Sequence, residues 1–272
     1  MMILELHRPE SRTSKANLCF DALATAYETV NNFDASVNPK CISVFWGLGG
    51  NNSAKIKHCV QSRIPWLFVD MPYWHRWTAN NLDWSIAEAH WRFVPNAFHP
   101  TAYHEFKNNR LSDIGIATTE VELKNTVLIC PSSDTLTNHC LGFDSNEWIL
   151  QTVELTRHQF PDCQIKIRHK PRNKYTSGPD AATIPIIDDL VDCCAVVGFS
   201  TIALVDAAAY GIPTYYTHSG FSPTEPIGTN LTKFIDKNNN RELWLNTLSN
   251  YQYSLKEIIA NKLDDVLKCY LQ

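Results

Sequence analysis

The chain has 272 residues, of which 44% are hydrophobic and 19% charged, with a formal net charge of −4 at pH 7. That composition belongs to a folding globular chain of one large domain or two small ones, and excludes a disordered or fibrous one. An acidic balance also excludes a surface that binds polyanions everywhere, so any nucleic-acid contact has to be a local basic patch.

No apolar run reaches the roughly 18 residues of a membrane helix. Charges interrupt the first twenty residues, MMILELHRPESRTSKANLCF, where a signal peptide would be apolar. The nine cysteines are odd in number and contain no CxxC pair, which argues for reduced thiols over a disulfide framework or a zinc cluster. The expectation is a cytoplasmic protein without a membrane partner. Cys193 and Cys194 are adjacent, and should point to opposite faces of one strand as buried spacers.

Short apolar runs predict buried strands at 1–6 (MMILEL), 41–47 (CISVFWG) and 65–71 (PWLFVDM). Apolar side chains at helical spacing predict helices at 18–31 and 54–61. The stretch 107–124 is polar and charged, after which a second series of strands opens at 125–133, 163–169, 193–199 and 212–217. Helices are expected at 146–158, 201–210 and 240–249. Asp144 or Ser145 is placed to cap the helix that begins near Asn146, and Gly211 with Pro213 closes the one ending at Tyr210. Alternation of this kind predicts doubly wound α/β architecture. The break near residue 121 predicts two α/β lobes, 1–120 and 121–272, the second carrying a C-terminal helix (254–271) that is free to pack on either lobe.

In open α/β sheets, ligands bind beyond the carboxyl ends of the strands. The most informative such end is VVGFSTIALVDAAAYGIPTYY, 196–216, where a strand ends at Gly198 and Ser200 and Thr201 open a helix. Free backbone N–H groups and a hydroxyl at a helix start suit a diphosphate, and Asp206 in the second turn is within reach of a ribose hydroxyl. The plainer alternative makes Ser200 an N-cap and Asp206 a solvated helix charge. IKIRHKPRNKY, 165–175, gathers Arg168, His169, Lys170, Arg172 and Lys174 past a strand end. Mutual repulsion there calls for an anion, and a solvated basic loop is the alternative.

WGLGGNNS, 46–53, is a strand, a glycine turn and a helix start that matches neither GxGxxG nor the phosphate loop. A backbone that approaches a ligand closely still fits Gly49, Gly50 and Asn51. FVDMPYWHRW, 68–77, sets Asp70 at a strand end ahead of an aromatic loop with His75 and Arg76. Tyr73, Trp74 and Trp77 could stack on a sugar or an unpaired base, and Asp70 could take a proton from a hydroxyl. Alternatively, Asp70 is a turn residue or the ion-pair partner of Arg76 or Arg92. His75, His90 and His99 are rival bases. The histidines show neither HExxH spacing nor an evident triad.

Together these features resemble the two-lobed glycosyltransferases of the GT-B fold, two Rossmann-like doubly wound lobes facing each other across a cleft. RHKP (168–171) and 196–216 look like the sugar-nucleotide half. DMPYWHR (70–76) and HWRFVPNAFHP (90–100) are similar to glycosyltransferase-like proteins of tailed bacteriophages. The chain departs from common bacterial members in having Val205 and Asp206 where an acidic residue usually stands directly before the Ala-rich stretch.

The resemblance implies that Arg168, His169, Lys170, Gly198, Phe199, Ser200, Thr201 and Asp206 bind a nucleoside-diphosphate sugar, such as a UDP-sugar. It implies that Gly49, Gly50, Asn51, Tyr73, Trp74, Arg76 and Arg92 bind the acceptor, with Asp70 as the base. Asp188–Asp189 and Asp264–Asp265 are only adjacent pairs and no DxD motif stands at a strand end, so no obligatory metal is expected. The acceptor it implies is a hydroxymethylated pyrimidine in phage DNA, which would put the protein in the host cytoplasm. The competing acceptor is a capsule, lipopolysaccharide or other glycan. A third possibility, of another class, is an inactive nucleotide or sugar sponge. The protein is expected to be a monomer or a small homo-oligomer.

Overall fold

In the computed structural model, residues 2–8, 14–32, 36–76, 89–103, 106, 108–169, 185–232 and 240–268 are described. The chain divides into two compact units, residues 1–100 with 249–272, and residues 101–248.

The first unit opens with β1 (Leu4–His7), α1 (Ser14–Ala26), β2 (Thr29–Asn32), β3 (Ile42–Trp46), α2 (Asn52–Ser62), β4 (Trp66–Asp70) and β5 (His90–Pro95). The expected helix at 18–31 is therefore shorter and starts earlier, and its last residues form β2, which pairs in parallel with β1. Thr29 and Val30 are β-branched and favour the extended backbone. The second unit contains α3 (Arg110–Asp113), β6 (Thr126–Ile129), α4 (Asp134–Leu141), α5 (Ser145–Gln159), β7 (Gln164–Ile167), α6 (Ile186–Leu190) and β8 (Cys193–Gly198). It closes with α7 (Ala203–Ala209), β9 (Thr214–Tyr216), β10 (Thr229–Asn230) and α8 (Arg241–Ser249). The chain then returns to the first unit as β11 (Gln252–Ser254), α9 (Leu255–Ile259) and α10 (Asp264–Leu267).

Two boundaries differ from the sequence reading. The first unit ends at residue 100 rather than 120, because 101–120 belongs with the second: Thr119 N donates to Ala209 O at 2.9 Å and Val121 N to Tyr210 O at 3.2 Å, at the end of α7. The C-terminal segment joins the first unit, because β11 pairs antiparallel with β5, Gln252 opposite Arg92. The single helix expected at 254–271 is two short ones. Ser254 and Glu257 form a capping box that starts α9, and Asn261, in the left-handed region at φ +57°, separates it from α10.

The first sheet runs β11-β5-β4-β3-β1-β2, with β1 to β4 parallel and β5 antiparallel to β4. Its apolar residues are buried without interruption in β3 and β4, as a two-sided parallel sheet requires. Phe45, Phe68 and Phe93 are fully buried, each contributing roughly 1.5–3 kcal/mol. The second sheet, β10-β9-β8-β6-β7, is parallel throughout. Its two faces separate by the period of two. Val127, Ile129, Ala195 and Val197 pack with Trp148 and Phe199, while Leu128, Cys130, Cys193 and Val196 pack with Leu204, Ala207 and Ile212. Cys193 and Cys194 fall on opposite faces, as expected. The doubly wound, two-unit α/β reading is borne out.

Candidate functional site

In the first unit, β4 delivers Asp70 to the carboxyl end of the sheet, directly across the antiparallel ladder from Arg92 on β5. Register sets this pair, because a slip by one residue would turn Arg92 to the other face. Arg92 Nη2 donates to Asp70 Oδ2 at 3.2 Å, and Met71 N donates to Oδ1 at 2.8 Å. Arg92 is buried, whereas 37% of the Asp70 side chain remains exposed. The carboxylate is thus oriented from behind and open in front.

The guanidinium is fixed on its other sides. Nη1 lies 3.0 Å from His99 Nδ1, and the rings of Phe68 and Tyr73 flank it at 5.7 and 5.2 Å. Arginine can only donate, so the network assigns Nδ1 as the accepting nitrogen of His99 and places the proton on Nε2. Burial, and then the charge of Arg92, hold His99 well below the ordinary imidazole range, so the ring is neutral at pH 7. Tyr73 OH shares that nitrogen at 3.1 Å, and burial pushes its phenol up to about 12.

Tyr73 has no exposed surface and Trp74 is 8% exposed, so neither presents an open face for stacking. Their backbone N–H groups both donate to Gln252 Oε1 at 3.0 Å, tying the aromatic loop to β11. Arg76 Nη2 returns to Tyr73 O at 2.5 Å. Of the two arginines weighed as partners of Asp70, Arg92 pairs with it. Trp77 lies outside the described residues.

One strand over, Gly47 and Gly50 take φ +55° and +58° and turn the chain from β3 into α2. Gly47 N donates to Val69 O at 2.9 Å, which sets this turn beside the end of β4. Gly49 and Gly50 face open space, and Asn51 is an exposed N-cap position whose side chain makes no cap hydrogen bond. Neighbouring Asn52 donates to Trp46 O at 2.9 Å instead.

A buried charge network in this unit escaped the sequence reading. Glu5 accepts from Asn32 Nδ2, Asn38 N, Ser43 Oγ and His7 Nε2, and His7 Nδ1 meets Lys55 Nζ at 3.1 Å. Burial, and then the Lys55 charge, outweigh Glu5 and lower His7 to about 4. Alternating EL and HR in a strand gave no signal that the acid and the histidine would meet.

In the second unit, Gly198 ends β8 where any Cβ would sit 2.6 Å from Thr201 Cγ2 and 3.2 Å from Cys130 O. Only glycine lets the turn 198–201 approach the end of β6 this closely. The helix starts at Ala203 rather than 201, and Thr201 Oγ1, not Ser200, accepts from Ala203 N at 3.4 Å. Ser200 is buried and Phe199 fully so, its ring 5.7 Å from Trp148 in the core. Asp206 lies half-buried in the first turn of α7.

Arg168 N donates to Ile129 O at 2.8 Å, so Arg168 and Gly198 flank the end of β6 at Cys130. The anion that this basic strand end calls for is in part internal: Asp189 of α6 pairs with both Arg168 and Lys166. Burial would raise the Asp189 carboxyl, but the hydrogen bonds and charges of Lys166 and Arg168 leave it below the ordinary range. Asp206 also acts on Cys130, so the described charges at this end are Lys166 and Arg168 with Asp189 and Asp206. His169 is half-buried beside it; Lys170, Arg172 and Lys174 lie outside the described residues. No helix among the described residues is long and apolar enough to cross a membrane.

Two Rossmann-like α/β units, each with polar and charged residues gathered at the carboxyl ends of parallel strands, define a GT-B-type architecture. Solved structures agree. A Thermosulfurimonas dismutans KpsC described as a β-Kdo 2,4-transferase is similar at TM-score 0.57 and 10% identity, over 95% of this chain and 98% of that one. A β-Kdo 2,7-transferase KpsC from the same organism is similar at TM-score 0.53 and 11% identity, over 96% and 100%. At such identities the likeness is one of fold. No protein-family model matches the chain, and no curated protein does.

Proposed function

We propose that the chain is a glycosyltransferase that moves a sugar from a nucleotide sugar, held by residues 101–248, to a hydroxyl of a saccharide acceptor, held by residues 1–100 with 249–272. The observation that carries this reading is the likeness, over nearly the whole chain, to two enzymes described as Kdo transferases. Asp70 takes the acceptor proton as the hydroxyl attacks the anomeric carbon, and Arg92 keeps the carboxylate aimed. The bond from that carbon to the nucleotide's phosphate oxygen breaks, and the charge developing there is met by the 198–201 backbone and by Arg168 and Lys170. Asp206 meets the ribose. A UDP-sugar is the reference donor, and no obligatory metal enters the scheme.

A hydroxymethylated pyrimidine in phage DNA is the alternative acceptor. It needs open stacking rings, which the burial of Tyr73 and Trp74 disfavours, and a basic surface, which a net charge of −4 disfavours. A saccharide acceptor needs neither. The test is incubation with sugar nucleotides and two acceptor sets, oligosaccharides and hydroxymethylcytosine DNA, followed by mass spectrometry. Glycosylated oligosaccharide is expected. Modified DNA alone would move the acceptor to the alternative, and a protein that binds donor yet releases no nucleotide, with or without acceptor, would be a sponge.

A further inference from the structure

Beyond the end of β9, the second unit contains a pocket of about 430 Å³ that none of the residues assigned above lines. One wall is apolar, formed in part by Leu141, Phe143 and Phe221. Thr217, His218, Ser219 and Asn230 supply polar lining. None of the described lining residues is Asp, Glu, Lys or Arg.

The polar wall is built from the core outward. Trp148 Nε1 donates to Thr217 Oγ1 at 2.9 Å, and Thr217 Oγ1 lies 2.8 Å from His218 Nδ1. An indole can only donate, so the Thr217 hydroxyl keeps its own proton to give to Nδ1, and in that tautomer the imidazole proton sits on Nε2. So arranged, His218 is an oriented N–H donor, and burial holds its pKa below the ordinary value. Thr217 N donates to Gly198 O at 3.1 Å, so the pocket adjoins the turn at the end of β8.

The two faces of the sheet decide which part of a donor belongs here. α7, the helix of Asp206, packs on the face formed by Leu128 and Val196. The pocket is walled by Leu141, Phe143 and Phe221, which pack on the opposite face with Val127 and Val197. A donor whose phosphate crosses the end of β8, with its ribose on the α7 side, directs its other end to the pocket. That end is the sugar. A lining that combines aromatic and aliphatic side chains with hydroxyls and an N–H suits the C–H face and hydroxyl edge of a pyranose. With no cation among the described lining residues, a carboxylated sugar would be desolvated without a counter-charge.

We propose that this pocket receives the glycosyl group of the donor and selects an uncharged hexose. The assignment rests on the nucleotide-sugar reading above and adds the class of sugar to it.

The test is calorimetric titration of the whole chain with UDP, GDP, ADP and dTDP, each free and as its glucose, galactose or mannose conjugate. For the nucleotide that binds, the glucuronate conjugate is compared with the glucose conjugate. Phe221→Ala and His218→Ala should weaken the best hexose conjugate at least tenfold while changing the free nucleotide less than twofold. The glucuronate should bind at least tenfold more weakly than the glucose conjugate. If Phe221→Ala does not fold, Ser219→Ala with Thr232→Ala, both at exposed positions, should give a loss of about threefold confined to the conjugate. Equal losses for free nucleotide and conjugate would make the pocket a nucleoside site and overturn the proposal. So would unchanged binding in every variant, or glucuronate binding as well as glucose. A wild-type chain that binds none of these nucleotides, free or conjugated, would sink the nucleotide-sugar reading itself.

Discussion

The carboxyl ends of the two sheets organise polar groups by different means. In residues 1–100 with 249–272 the work is done by side chains: Arg92 stands between Asp70 and His99, and His7 between Glu5 and Lys55. In residues 101–248 it is done by backbone approach, with Gly198 pressed against Thr201 and the Cys130 carbonyl, and by one carboxylate, Asp189, shared between two cations. The first arrangement holds groups that can exchange a proton. The second offers backbone N–H groups beside the cations of Arg168 and Lys166, which suit a group that arrives and leaves as an anion.

The sharpest way to break this contrast is Asp70→Asn, which keeps the shape and removes the basicity. Transfer should fall by roughly 10²–10⁴-fold while donor binding, measured by calorimetry, stays within a factor of two. Near-normal turnover would remove Asp70 from the chemistry, and a loss confined to His75→Gln or His90→Gln would move the role there.

Gly198→Ala tests the backbone side. Its Cβ would meet Thr201 Cγ2 at 2.6 Å and Cys130 O at 3.2 Å, so the second unit should lose about 1–3 kcal/mol in thermal unfolding. Donor affinity should fall with it. A variant as stable as the wild type would mean that the turn relaxes freely.

Acid should separate the two units. His7 is held at about 4, below its unfolded value near 6.5, so between those values the unfolded chain binds more protons and stability falls as pH falls. At pH 5 this removes about 2 kcal/mol from the first unit, with His99 acting in the same direction. In the second unit His218 is also lowered by burial, but without the large shift of His7. Asp189 lies below the ordinary carboxylate value, so its contribution persists above about 3.8 and is lost only at lower pH. Hydrogen exchange at pH 7 and pH 5 should therefore show loosening of β1 and β3 before β6 and β8. Simultaneous loosening would contradict it.

The smallest effect should be the same in both units. Asp144 accepts from Glu147 N at 2.9 Å, and Ser254 from Glu257 N at 3.4 Å. Asp144→Ala and Ser254→Ala should each cost about 1 kcal/mol, because a cap depends on one turn of chain. A denaturant midpoint that moves for only one of them would make the other cap redundant.

Strands β3, β4, β6 and β8 were legible because a buried parallel strand reads as an unbroken apolar run. β2, β10 and β11 were not, since they are only two to four residues long and carry Asn, Thr, Gln and Ser, leaving neither period nor hydrophobicity to read. The capping box at Ser254 and Glu257 was a readable signal for the start of α9, obscured by the helical pattern drawn through 254–271.

The sequence by itself determined which residues stand at strand ends: Asp70 after PWLFV, Gly198 after CCAVV, Arg168 after QIKI. Hydrophobic periodicity fixes such positions locally, within a few residues of chain. What faces what was decided only by tertiary structure. Arg92 opposes Asp70 through the register of β4 and β5, and Gln252 reaches the Tyr73 backbone from 179 residues away. Asp189 comes from α6 to take the cations of the β7 end, and Tyr73, Trp74 and Phe199 are drawn into the core. Pairing between distant segments follows from the burial of whole sheet faces, a property of the assembled fold that no local run of residues carries.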